Sequence, residues 1–529
     1  MAKCTRSTMT LLTALLLKVM SVLILLTILG SFAAATPLEK EPSQSKVYEP
    51  TWDSLDSRPL PAWYDQAKFG IFIHWGIFSV PSWSHHLAEW YYQYLLTGSD
   101  NNETREFHYA TYGQDFKYDE FGPMFKAELW DPAQWTQLFS DAGAKFVLLT
   151  SKHCDGWANW KSPAKWNYNS VDNGPHRDIV GELTNATRAQ GLRMGLYYCN
   201  IEWGNPLLPW DYMHGPEPYT GQEEYVEEVF LKELKDITVK YQPDIVNGDY
   251  AVLLNSTQLK SRDFLAWLYN ESPVKDTVVV DDRWGTDTRC LHGGYHTCHD
   301  RYEPGALQPH KWTDLMTMAN SWGYDRVETV DQYKTAEEMV SILVNNVAYG
   351  GNLILNIGPT HDGIIIPLMA ERLLQIGSWL KVNGDAIYGT QPWKVKQAEN
   401  SSTDEVLVYY TTKTLSTAGT PAATAVDDDD ASTVDLYAIL MSWPTQTGTA
   451  QLANPPCSAG TTTASLLTGN GPVTLGVQCW TSGTGINISM PTAGLALDKK
   501  SFPTQYAYTI RLQNSLTGDA VTGNSAGHL

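Results

Sequence analysis

Positive charge is in short supply in this 529-residue chain, where 37 Lys and Arg stand against 58 Asp and Glu for a formal net charge of −21. A phosphate backbone would be repelled by such a surface, and no basic stripe offsets the deficit, so nucleic acid is excluded as a partner. Metal-binding spacings are missing as well. The sequence holds no CxxC pair and no HExxH run, so neither a metal nor any other cofactor is expected. Past Gly30 no segment has the continuous apolar length that a bilayer-spanning helix needs. Cysteine is sparse, with seven residues in all.

What is present begins with an export signal. Lys3 and Arg6 precede an apolar stretch from Met9 to Gly30, and the small residues Ala33, Ala34 and Ala35 follow. Lys18 interrupts that stretch and leaves an apolar core of about a dozen residues, the length of a signal sequence rather than of a membrane anchor. Residues 1–35 are therefore read as a signal cleaved near Ala35 or Thr36, with no membrane attachment afterwards. Entry into the secretory pathway agrees with six N-glycosylation triplets, at Asn102, Asn185, Asn255, Asn270, Asn400 and Asn487. It also makes disulfides permissible. With Cys4 lost in the signal, Cys290 with Cys298 and Cys457 with Cys479 are the local pairings to expect. Cys154 and Cys199 are read either as a buried bridge or as two free thiols.

Hydrophobic residues make up 43% of the chain, ample for a large core, and the length suits two or three domains. Short apolar runs recur, each breaking into polar residues at its downstream end. The first is WYDQAKFGIFIHW (Trp63 to Trp75), followed by FVLLTSKHCDGW, GLRMGLYYCNIEW, PDIVNGDY, TVVVDDRWG and NLILNIGP. Helical spacing fills the intervals, as in Asp131 to Ala144, with Gly143 as its stop, and Glu223 to Tyr241. Strand and helix in alternation predict a parallel sheet, here an α/β (β/α)8-like TIM barrel over residues 36–393. In such a barrel the strand ends are where chemistry is placed.

From Lys394 the pattern changes to short β-type runs with turns between them, which predicts a C-terminal antiparallel β-sandwich over 394–515. Within it, Leu415 to Thr433 is poor in apolar bulk and ends in consecutive Asp residues. Such a segment reads as a solvated loop extended by self-repulsion, with weak Ca2+ binding as the other reading. Residues 516–529 read as a disordered tail. The 20 Trp and 28 Tyr suit sugar clefts, although in a large barrel most such rings are core.

Four segments, SLDSRPLPAWYDQAKFGIFIHWGIFSVPSW, GPHRDIVGEL, GNLILNIGPTHDGIIIP and WLKVNGDAIYGTQPW, resemble the α-L-fucosidases of glycoside hydrolase family 29, particularly the animal lysosomal type. The resemblance runs from about Thr51 through Trp393. It implies a retaining exo-glycosidase that releases terminal α-L-fucose from glycoproteins, glycolipids or oligosaccharides, so fucosylated glycans are the expected partners. It also implies a lysosomal or extracellular destination, and a homo-oligomer, since family members are commonly multimeric.

That chemistry needs two carboxylates about 5 to 5.5 Å apart. Asp249 ends the apolar DIV run of PDIVNGDY and falls where the family's motif carries its nucleophile; capping of the next helix is the structural alternative. Asp244 lies upstream, on the wrong face. For the acid/base, several family members carry Glu directly after a Trp in the segment before SWGY, but Thr313 stands there in this chain. A hydroxyl cannot serve as a general acid of suitable pKa. Asp300 in HGGYHTCHDRYEP is the first candidate, Asp314 the second and Glu303 the third.

For the sugar hydroxyls the resemblance points to His74, Glu89, Trp90, His153, Tyr197, Tyr198 and Arg283, with Trp75, Trp90 or Trp284 covering the C-methyl face. Tyr197 and Tyr198 cannot both point inward from one strand. Cys154 and Asn247 also depart from the family pattern, which often has His and Trp at those places. Two alternatives follow from these departures: a catalytically impaired, lectin-like fucose binder, and a retaining galactosidase on the same barrel.

Overall fold

Runs of β-branched and aromatic side chains become strands here because both faces of a parallel sheet are covered. The computed structural model describes residues 46–208, 222–250, 253–401, 405–414, 434–445, 448–481, 484–491, 500–502 and 505–514. The expected signal segment, the Asp-rich loop and the C-terminal tail lie outside the described residues.

Among the described residues seven parallel strands are formed: β1 (Phe69–Ile73), β2 (Phe146–Lys152), β3 (Arg193–Cys199), β4 (Ile245–Asp249), β5 (Val279–Val280), β6 (Trp312–Thr317) and β7 (Gly351–Ile357). They pair in the order β5-β4-β3-β2-β1-β7-β6, and β2, β6 and β7 are buried along their whole length. The gap between β5 and β6 is bridged by a short segment. Gly294 N and Tyr295 N donate to Val280 O at 3.0 and 3.2 Å, while His296 N donates to Lys311 O at 2.8 Å and Thr313 N to His296 O at 2.9 Å. This stub occupies the sixth of eight positions around the ring, so the barrel is (β/α)8-like although one stave is residual.

The expected helix after the first run spans Pro132–Asp141. It is capped by Asp131, whose side chain accepts from Ala133 N and Gln134 N, and Gly143 follows with φ 86°. The second is continuous from Gln222 to Tyr241 through a π-turn at Val226–Phe230. Strand β6 has no counterpart among the expected runs, because Thr313, Asp314 and Thr317 interrupt its apolar pattern.

Among the described residues the C-terminal part is an antiparallel sheet of nine strands, β8 (Gln391–Pro392), β9 (Ala398–Asn400), β10 (Leu407–Thr414), β11 (Val434–Leu440), β12 (Thr449–Pro456), β13 (Thr463–Leu466), β14 (Val473–Cys479), β15 (Thr484–Ser489) and β16 (Tyr508–Gln513), eight of them in one path and β9 paired to β10 beside it. Leu436 and Leu440 from β11 share one core with Leu452 from β12 and Ile486 and Ile488 from β15. The path therefore folds over on itself as a sandwich. The described residues from Tyr48 onward form one compact unit, and the barrel core extends to Tyr437, Ile439, Leu467 and Ala507.

Candidate active site

Side chains alternate along a strand, so every second residue of each barrel strand faces the barrel axis. At the C-terminal ends these inward residues surround a cavity of about 390 Å3. Phe72 and His74 enter it from β1 and its end, His153 from the end of β2, Tyr197 from β3 and Asp249 from β4. Arg283 follows β5. Glu89 and Trp90 descend from the loop after β1, His299 and Asp300 from the loop after β5, and Leu315 and Trp322 form the wall on the β6 side.

The cavity is organised around one guanidinium. Arg283 Nη1 lies 2.9 Å from Asp249 Oδ1 and Nη2 lies 2.6 Å from Asp300 Oδ1, so a single planar cation spans both carboxylates. Gly248 makes this possible: its N–H donates to Asp281 Oδ1 at 2.9 Å, and a Cβ there would lie 2.9 Å from the Arg283 carbonyl oxygen. The missing side chain lets β4 and the chain after β5 run close together. Tyr197 OH donates to the other oxygen of Asp249 at 2.7 Å. Burial pushes the Asp249 carboxyl up, but the Arg283 charge, with hydrogen bonds from Arg283 and Tyr197, outweighs it and holds the group at about 2.

Burial favours the neutral forms of His74, His153 and Glu89. Burial lowers His74 to about 4 against its bond to Asn356 and the charges of Asp249 and Asp300. His153 falls to about 3 through burial and the neighbouring His74. Glu89 is fully buried, and burial raises it to about 7 although Gly323 N, Ser321 Oγ and Trp322 N all donate to its Oε2. Its other oxygen has no partner among the described residues. Neutral donors and acceptors set beside an ionised Asp249 are what a polyol with an electrophilic carbon requires.

Residues 35–385 match the family model described as alpha-L-fucosidase. The chain is 45% identical over 471 residues to an alpha-L-fucosidase of Branchiostoma floridae, covering 88% of this chain and 96% of that protein. It is 40% identical over 495 residues to the tissue alpha-L-fucosidase of Homo sapiens, covering 93% and 96%. The chain belongs to the α-L-fucosidase family. Among solved structures, the Thermotoga maritima alpha-fucosidase in complex with fucose is similar with a TM-score of 0.70 and 31% identity, covering 88% of this chain and 100% of that one.

Against this α-L-fucosidase fold, the expected site residues divide by strand phase. Asp249, Asp300, His74, Glu89, Trp90, His153, Tyr197 and Arg283 all line the cavity. Trp75, Tyr198 and Trp284 do not, because each follows an inward residue and so points the other way. Trp75 packs its ring on Phe125, Trp130 and Trp135 and donates from Nε1 to Thr360 O at 2.8 Å. Tyr198 OH donates to Glu233 at 2.6 Å and accepts from Lys152 Nζ at 2.6 Å, in a buried charge cluster outside the sheet. Trp284 packs at a tilt against Phe264.

The reserve acids are placed elsewhere. Asp314 points away from the axis to Asn346, whose Nδ2 donates to it at 2.9 Å, and Glu303 is exposed and off the cavity wall. Thr313 faces the barrel interior, its hydroxyl 2.8 Å from that of Tyr64. Cavity residues not foreseen include Phe72, Tyr250, His299, Leu315 and Trp322. Phe72 was readable from its position two residues before His74, whereas Leu315 belongs to the strand whose run was missed and Trp322 to the loop that follows it.

Cys154 is bridged to Cys199, Cys290 to Cys298 and Cys457 to Cys479. Asp282, Cys290 and Cys298 cluster closely enough to suggest a metal, but both sulfurs are in the disulfide and the carboxylate is taken up by N–H and O–H donors. Among the expected glycosylation sites, Asn102, Asn185 and Asn400 are exposed, while Asn255 is half-buried. Asn270 is tied through its amide to both main-chain groups of Tyr48, and Asn487 accepts from Trp480 Nε1 at 2.8 Å.

Proposed function

We propose that the chain is a retaining exo-glycosidase that hydrolyses terminal α-L-fucose, with Asp249 as nucleophile and Asp300 as acid/base. The observation that carries the assignment is the pair of ion pairs from Arg283, which draws the two carboxylates to one place in a cavity the size of a monosaccharide. The roles divide by environment. The Asp249 side chain is 21% exposed and held ionised, whereas Asp300 is 44% exposed at the mouth, where a leaving group departs and water enters.

In the first step an Asp249 oxygen bonds to the anomeric carbon, the glycosidic C–O bond breaks, and the Asp300 proton passes to the departing oxygen. In the second, Asp300 takes a proton from water as the water oxygen attacks that carbon and frees Asp249. His74, His153 and Glu89 supply neutral partners for the sugar hydroxyls, and Phe72, Leu315 and Trp322 offer an apolar wall for the C-methyl group. A lectin-like protein would have no use for a second carboxylate set against the first.

The test is turnover of an aryl α-L-fucoside at acidic pH. Asp249→Ala should abolish it while far-UV circular dichroism stays unchanged; full activity in that variant would refute the assignment.

The same reading takes fucosylated glycans as substrates, puts the mature chain in the secretory pathway with a lysosomal or extracellular destination, and has it assemble as a homo-oligomer. The support lies in the leader-like N-terminus, the glycosylation triplets, the disulfides and the tissue-type relatives. Among the described residues no helix is long and apolar enough to cross a membrane. An endoglycosidase mobility shift and light scattering on the secreted product check these points.

A further inference from the structure

Arg283 has a third partner that does not line the cavity. Its Nε donates to Thr297 Oγ1 at 2.8 Å, and the Thr297 hydroxyl in turn donates to Asp282 Oδ1 at 2.6 Å. Asp282 and Thr297 are fully buried, and Arg283 is 4% exposed. The Asp282 carboxylate accepts three more bonds, from Thr297 N to Oδ1 at 3.0 Å and from Cys290 N and Cys298 N to Oδ2 at 2.8 and 3.0 Å. Both half-cystines sit in the left-handed backbone region, with φ 59° and 53°. Side chains other than glycine hold that conformation only where the surroundings insist on it. The carboxylate gathers the loop's N–H groups from within, and the Cys290–Cys298 disulfide closes it from without.

Asp300 hangs two residues beyond Cys298. The next residue, Arg301, anchors the far side of the loop, with its N–H on Leu315 O at 3.0 Å and its guanidinium on Thr317 Oγ1 and Asn320 O. The loop is thus pinned at both flanks of Asp300, and the same buried carboxylate that pins one flank also orients the guanidinium that Asp300 meets.

We infer that Asp282 and Thr297 are positioning residues: a buried carboxylate–hydroxyl relay that sets the rotation of Arg283 and, through it, aims Asp300 at the leaving group. This rests on Asp300 being the acid/base. The physical need arises during turnover. When Asp249 becomes an ester it loses its charge, and one of the two ion pairs that orient Arg283 weakens. Thr297 is the partner whose hold on Arg283 the reaction leaves unchanged.

The experiment uses full-length Thr297→Val, which matches threonine in shape but cannot relay a hydrogen bond, with Thr297→Ser as the conservative rescue. Each is assayed on aryl α-L-fucosides whose leaving groups differ in acidity. General acid assistance matters most for poor leaving groups. The expected result for Thr297→Val is a loss of about tenfold or more in kcat/KM for the poorest leaving group and little change for the best, with Thr297→Ser close to the unmodified protein. Asp282→Asn, whose amide must set an N–H₂ either against the Thr297 hydroxyl and N–H or against the Cys290 and Cys298 N–H groups, breaks the relay or the loop anchor and is the second variant should Thr297→Val not fold; the same leaving-group signature is expected of it.

A flat profile equal to the unmodified protein, or a uniform loss that Thr297→Ser does not restore, overturns the relay. Asp300→Asn serves as the reference. If it shows the steep leaving-group dependence while Thr297→Val does not, the relay alone fails. Should Asp300→Asn itself be flat, the acid/base assignment fails and the relay falls with it.

Discussion

His74 Nδ1 lies 2.7 Å from Asn356 Oδ1, and the amide of Asn356 donates from Nδ2 to Trp322 O at 2.6 Å. Because the amide's donor is already committed to a carbonyl, its oxygen faces the imidazole, and His74 must carry its proton on Nδ1. The nitrogen turned to the cavity is then an acceptor for a sugar hydroxyl. An asparagine on β7 thereby selects the tautomer of a histidine that follows β1.

Replacing that amide frees the tautomer. Asn356→Ala should raise KM for an aryl fucoside by about tenfold, the scale of one buried hydrogen bond left unmade, with a smaller effect on kcat. Steady-state kinetics at acidic pH measure it, and an unchanged KM would remove Asn356 from the site.

Two groups of cavity residues impose opposite pH trends on stability. His74 and His153 have folded values of about 4 and about 3, below the ordinary 6.5, so the fold favours their neutral forms. Their contribution is complete above 6.5 and is lost as pH falls below it. Glu89 is raised from 4.5 to about 7, so its contribution is complete below 4.5 and is lost as pH rises toward 7. Glu89→Gln mimics the protonated acid. Its melting temperature should therefore gain on that of the unmodified protein between pH 4.5 and about 7, and a pH-independent difference would contradict the buried neutral Glu89.

The outward Asp314 gives a contrast with Asp300. Burial raises Asp314 to about 7 despite the Asn346 amide, so Asp314→Asn keeps its hydrogen bond and should leave kcat/KM within about twofold. Asp300→Asn should lower it by about a hundredfold or more with a poor leaving group, the range of general acid catalysis. Activity lost in Asp314→Asn and kept in Asp300→Asn would reverse the two assignments.

Selectivity for the deoxy sugar should reside in the apolar wall. Leu315→Ala is expected to lower the ratio of kcat/KM for an α-L-fucoside over the matching galactoside by about tenfold, since one methyl contact in an apolar pocket contributes about 1 to 3 kcal/mol. The same substitution at the outward Trp75 should lower the melting temperature and leave that ratio unchanged.

Much of this was legible in the residues alone. Runs such as FGIFI and FVLLTSK announced strands, the Asp131 and Gly143 signals bounded a helix, and two of the three disulfides joined local cysteines. The stub at 294–297 and strand β6 were not legible. The first is too short to carry a period, and the second places Thr313 and Asp314 where an apolar run would be expected.

Sequence by itself determined that the chain alternates strands and helices, that polar residues gather at the strand ends, and that Asp249 stands at one of them. Only the tertiary structure decided which neighbour of each pair faces the sugar: His74 and not Trp75, Tyr197 and not Tyr198, Arg283 and not Trp284. The physical reason is phase. A two-residue period names two faces without saying which is inside, and that choice belongs to the neighbouring strands and the helices packed against them. The meeting of Asp249 with Asp300 is of the same kind, since it depends on Arg283 and a disulfide-closed loop that come together only when the barrel closes.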